Sequence, residues 1–113
     1  VLLDSGDFPR AKGMLEELIA QAPDDHDAKV ALGLAHRGIK DFKGAQRVWE
    51  SVVRSAPSRS RVRGDALWNL AVLEADVKME DAAGKKALQR YLDEAPRKHK
   101  KRKAARERLK ELE

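Results

Sequence analysis

The stretch KDFKGAQRVWESVVRSAP, residues 40–57, says in outline what GDFPRAKGMLEELIAQAP has said at residues 6–23. Asp7 and Asp41, Phe8 and Phe42, Ala11 and Ala45, Leu18 and Val52, Ala22 and Ala56, and Pro23 and Pro57 all stand 34 residues apart. A third copy, EDAAGKKALQRYLDEAP at residues 80–96, follows the second by 39: Gly84, Leu88, Tyr91, Leu92 and Ala95-Pro96 take the places of their counterparts. The first half of each unit locates the surplus, because Leu32-Gly33 answers to Leu70-Ala71 at an offset of 38. Four extra residues therefore fall near Ser58 to Arg63, and one more is expected in the turn around Lys78 to Glu80.

Apolar residues within each copy recur at three and four, the helical spacing, and no alternating strand pattern competes with it. Helices are expected at 8–21, 26–39, 42–55, 60–77, 80–94 and 98–112. Prolines 23, 57 and 96 end the helices before them, since proline lacks the amide donor and restricts its predecessor. Asp24 and Asp25, and Ser58 or Ser60, offer oxygens to the free amides that open the next helix. The small residues Ala11, Ala45 and Gly84 stand where paired helices cross closely.

A 34-residue unit with Ala-x3-apolar and a closing proline, read here as Ala11-x3-Leu15 to Pro23 and Ala45-x3-Trp49 to Pro57, resembles the tetratricopeptide repeat (TPR) family. The resemblance covers nearly the whole chain. The other half of the family pattern is altered, reading Lys29-x2-Leu32-Gly33-x2-His36 and Leu67-x2-Leu70-Ala71-x2-Glu74, so both aromatic positions are replaced. The fold it implies is all-α, a TPR-like right-handed solenoid of antiparallel helix pairs with about two and a half repeats and a C-terminal capping helix. The expected organisation is a partial repeat at 1–25, a second repeat at 26–59, a third with insertions at 60–96, and a basic capping helix at 97–113. In this register Val1 lies late in a first helix, which suggests a piece excised from a longer array. Met14 and Leu18 would then form an uncovered apolar side on the helix at 8–21, open to self-association.

The resemblance also implies the function: the first helix of each repeat lines a concave groove that binds a peptide or a partner helix. On those helices Asp27, Val30, Leu34 and Arg37, then Asp65, Trp68, Val72 and Asp76, with Asn69 beside Trp68, fall on one face by their spacing. Val30, Leu34, Trp68 and Val72 are apolar where charge could stand, and such clusters mark interaction sites. Packing of Trp68 and Leu34 between repeats is the competing reading, and both stay open. Trp49 replaces a core residue of the pattern and is expected to be buried. Family members that clamp a terminal carboxylate carry basic residues where this chain has Val30, Leu34 and Trp68, so an apolar segment or amphipathic helix is the expected occupant.

The net charge of +5 is unevenly placed. Residues 97–113 hold nine Lys or Arg against three Glu, while residues 1–96 hold 15 cations against 16 acids. The tail RKHKKRKAARERLKELE has two readings. Ala105, Leu109 and Leu112 at helical spacing can close the last pair as a solvated cap. Alternatively Arg97, Lys98, Lys100, Lys101, Arg102 and Lys103 bind an anionic partner, whether acidic protein, lipid headgroup or nucleic acid. The run has no aromatic residue to stack bases or enter a bilayer, which argues against nucleic acid and direct membrane insertion.

Catalytic signatures are missing. Gly33-x4-Gly38 is followed by Ile39 where a phosphate loop needs lysine. His26, His36 and His99 have no metal-ligand spacing, His36 being expected to fill a core slot, and no cofactor is implied. Glu16-Glu17 and Asp24-Asp25 read as solvated surface or caps. The absence of cysteine removes disulfide and thiol chemistry. No apolar run is long enough to span a membrane. The strings NLAVLEAD, ALQRYLDEAP and HKKRKAARERLKEL are similar to TPR lipoproteins of myxobacterial gliding-motility machinery, which implies an assembly platform at a bacterial cell envelope, with the cytoplasm as the compartment otherwise.

Overall fold

The computed structural model describes residues 6–113, and every regular element among them is helical. The helices are α1 (Phe8–Gln21), α2 (His26–Gly38), α3 (Phe42–Ser55), α4 (Arg61–Val72), α5 (Asp81–Glu94) and α6 (Arg102–Leu112), with a π-helical turn, Leu73–Val77, continuing α4. The expectation about Val1 and a truncated first helix lies outside the described residues. Two compact units divide the chain, residues 1–54 and residues 55–113.

The 34-residue echo of Asp-Phe has a local cause. Asp7 accepts the amide of Arg10 at 3.3 Å and opens α1, and Asp41 accepts the amide of Gly44 at 3.0 Å and opens α3. Each thus satisfies an amide that the first turn leaves without a helical partner. The third copy has Glu80 in this position, and its side chain makes no cap bond. Of the two candidates after each proline, Asp25 caps α2 through the amide of Ala28 at 3.0 Å, and Ser60 caps α4 through Arg63 at 3.3 Å.

In the first unit α1 packs on α2, and the centre is Trp49, fully buried on α3. Its indole Nε1 donates to the Val30 carbonyl at 3.1 Å. The ring lies against Gly33, where a Cβ would run into the indole Nε1, Cε2 and Cδ1. The expected burial of Trp49 is therefore found, and the Leu-Gly of the pattern has its reason: glycine makes room for tryptophan. Met14 and Leu18 are 55% and 44% exposed on α1.

In the second unit α5 packs against α4, the π turn and α6. Leu67, Leu73, Leu88, Tyr91 and Ala105 are sealed from solvent. Gly84 meets Ala75, whose Cβ and Cα would stand 2.9 and 3.0 Å from an added Cβ, so the close crossing expected there is real.

Two expectations need correcting. The single surplus residue is not in the turn at 78–80. Lys40 and Met79, 39 apart, both take left-handed backbone (φ 66° and 59°) at the same corner, so the surplus precedes it. Asp41 closes the first corner onto the His36 carbonyl, five residues back, whereas Glu80 closes onto Glu74, six back. Widening one helical turn accommodates the extra residue without loosening the corner. The last helix starts at Arg102, not at residue 98, because residues 97–101 form turns that carry the His99 side chain inward.

Candidate functional site

On α2, Val30, Leu34 and Arg37 are each half-buried and Asp27 is exposed. On α4, Asp65, Trp68, Asn69 and Val72 are half-buried, and Asp76 in the π turn is exposed. Regular spacing holds along α2 and along α4 to Val72, while Asp76 lies in the π turn, where the helical period changes. The two tryptophans differ sharply: Trp49 is sealed, while Trp68 retains part of its surface.

Trp68 is held in place by its neighbours. Its ring makes a tilted contact with Tyr91 of α5 at a centroid distance of 5.7 Å and 64°, and the Lys101 ammonium lies 5.8 Å over it. Aromatic pairs favour such tilted contacts, and a cation over an indole is attracted by the negative face of the ring. The acidic residues at the two ends of the strip are both occupied. Asp65 receives Arg61 at 2.5 Å and the His99 Nε2 at 2.7 Å. Asp76 receives the Arg108 Nε at 2.8 Å, a bond that raises the pKa of the guanidinium.

His99 is the central polar residue of the unit, and nothing in the local sequence singles it out. It is 7% exposed, with one ring nitrogen on Asp65 and the other 2.5 Å from the Tyr91 hydroxyl. With Asp65 accepting from Nε2, the remaining nitrogen accepts from the phenol. Burial pushes the Tyr91 phenol up to about 12, with the nearby Arg102 charge opposing the shift. Gly64 makes the seat for His99, since a Cβ there would lie 2.6 Å from the His99 Cδ2 and 2.9 Å from the Pro96 Cδ. A buried tyrosine needs a hydrogen-bond partner, which is the one signal the sequence offers; the meeting of His99 with Asp65, 34 residues away, is decided by the fold.

The chemistry open to this chain of groups is structural. The Tyr91 hydroxyl is enclosed, so no substrate atom reaches it. Among the described residues no cluster of His, Asp and Glu is arranged to hold a metal ion, and no helix is long and apolar enough to cross a membrane. In the first unit His36, half-buried where a core position was expected, has its Nδ1 2.9 Å from Asp41. The Gly44 amide, followed by His36, holds the Asp41 carboxyl below its ordinary value.

The six basic candidates of the tail separate into two kinds. Arg97, Lys98, Lys100 and Lys103 are exposed. Lys101 rests on Trp68, and Arg102 donates to the Leu92 and Ala95 carbonyls at 3.1 and 3.4 Å, closing the C-terminus of α5. Those two cations serve packing. Ala105 is fully buried, and Leu109 and Leu112 are half-buried on the same side of α6.

Residues 2–67 match the tetratricopeptide repeat family model, more than half of the 113-residue chain. No curated protein and no solved structure matches it.

Proposed function

The chain belongs to the tetratricopeptide repeat family, whose members are non-enzymatic protein-interaction repeats, and from that membership we propose a scaffold that binds a segment of another protein. The strips of α2 and α4 are the docking surfaces. Each offers an apolar pair four residues apart, Val30 with Leu34 and Trp68 with Val72, bordered by polar groups. An extended apolar segment or an amphipathic helix matches that pattern. The observation that carries the reading is Trp68, an indole held by a tilted contact with Tyr91 yet not sealed. A rigid, partly open aromatic side chain binds at low entropic cost and is typical of binding hot spots. Asp65 and Asp76, already paired within their unit, shape the strip, while Trp68, Asn69 and Val72 face the partner. The placing in a gliding-motility assembly rests only on the short strings quoted above and adds nothing to the proposal.

A second reading is favoured by one observation: Arg97, Lys98, Lys100 and Lys103 remain exposed, and can attract an anionic partner. The test compares affinity captures from cells that make the protein, using the wild-type chain, Leu34→Arg, Trp68→Ala, and a fourfold Arg97/Lys98/Lys100/Lys103→Ser variant. Ending the chain at Pro96 would remove His99 and Arg108 and disturb the α4 strip itself. Partners lost with either strip variant and kept by the serine variant support the scaffold. Partners indifferent to both strip substitutions and lost with the serine variant sink it in favour of the basic tail.

A further inference from the structure

The stretch near Ser58–Arg63, where four extra residues break the 34-residue period, holds Arg59 and Arg61. Arg59 and Arg61, together with Lys98, Lys100, Pro96 and the edge of His99, line a hollow of about 380 Å³ in the second unit. Arg59 sits in the left-handed region at φ 56°, which sends its side chain across to α5. There its guanidinium donates to the Ala95 and Asp93 carbonyls at 3.3 and 3.4 Å. Five N–H groups are available on a guanidinium, so this anchoring fixes the group and still leaves donors. Arg61 is neutralised by Asp65, whereas Lys98 and Lys100 are exposed and line the same hollow. The lining thus combines several cations with the Pro96 ring.

We propose that this hollow is a docking site for an acidic segment of a partner protein, with carboxylates held by Arg59, Lys98 and Lys100. A fixed guanidinium suits a planar carboxylate. The imidazole of His99, the aromatic ring in the lining, is nearly sealed and bonded on both nitrogens to Tyr91 and Asp65, so it offers no open face to stack a base, which disfavours single-stranded nucleic acid. The exposed large apolar residues of this unit, Val77 and Met79, lie beyond the far end of α4, so none beside the hollow could enter a bilayer. The site goes beyond the α2 and α4 strips and does not rest on them; it shares two lysines with the basic tail but excludes Lys101 and Arg102, whose bonds are internal.

The experiment titrates fluorescein-labelled hexaglutamate with the full chain at low salt, following anisotropy. Lys98→Ser/Lys100→Ser is compared with Lys103→Ser/Lys110→Ser, which removes the same charge from exposed positions on α6. Loss of two solvent-exposed charge contacts should weaken binding roughly tenfold in the first variant, and less than about twofold in the second. Circular dichroism melts verify that both variants fold. Equal weakening by both serine variants, or no saturable binding, overturns the site. Site-dependent binding tighter to phosphatidylserine vesicles or to oligothymidylate overturns the assigned occupant.

Discussion

Replacing His99 by alanine tests how the basic tail is tied to the α4–α5 hairpin. The imidazole side chain is 2% exposed and bonded on both nitrogens, to Tyr91 and to Asp65. Its removal leaves the Tyr91 O–H proton enclosed and without its acceptor, which costs about 1–3 kcal/mol. The tilted ring contact with Tyr91, at 5.4 Å and 74°, is lost as well, for about 0.5–1.5 kcal/mol. Asp65 keeps Arg61 and reaches solvent, so its share is small. These losses overlap, and the expected total is about 2–4 kcal/mol, large for a single substitution. Native-state hydrogen exchange locates the effect: amides of Leu70, Leu88 and Ala105 should lose that much protection, while the Trp49 amide in the other unit keeps its own. Adding Tyr91→Phe removes the stranded hydroxyl, so the double variant should recover roughly 1–2 kcal/mol relative to the sum of the single ones. A His99→Ala protein within about 0.5 kcal/mol of wild type, or a double variant with strictly additive losses, would refute the assignment of His99 as the buried tie.

Two glycines in the first unit should respond with opposite signs. Gly33→Ala gains about 1 kcal/mol of helix propensity but drives a methyl into Trp49, which is sealed and bonded to the Val30 carbonyl, so overpacking of about 1–3 kcal/mol wins. Gly13→Ala meets nothing within 4 Å and should stabilise by up to about 1 kcal/mol; urea denaturation of the two variants decides the signs. The chain's single tyrosine makes its titration readable by ultraviolet difference absorbance. Tyr91 should ionise at about 12, against about 10 after unfolding in urea. Because the folded value is the higher one, the stability it contributes is complete below pH about 10 and is lost between there and about 12. A native midpoint near 10 would contradict the enclosure of the phenol.

The helices, their order and their caps were legible along the chain because they arise from local causes. A period of 34 places Asp7 and Asp41 alike, and an aspartate before a helix acts on an amide three residues away. Proline spacing and the small residues at crossings work over similarly short distances. The candidate strips could also be placed on faces, since spacing of three and four is sufficient for that. What spacing cannot tell is which groups meet. Asp65 and Asp76 read as rim charges of a binding face, but within the fold they are the anchors of His99 and Arg108. Lys101 and Arg102 look identical to Lys98 and Lys100 in a basic run, yet the first pair is engaged with Trp68 and with the end of α5, while the second pair stays exposed. The surplus residue could be counted from sequence but not located, because a helix can absorb it by widening one turn. Local periodicity determined the helical repeat; long-range hydrogen bonds between residues some thirty positions apart, whose partners are chosen by burial and close approach at Gly64, decided which charges hold the fold and which remain for a partner.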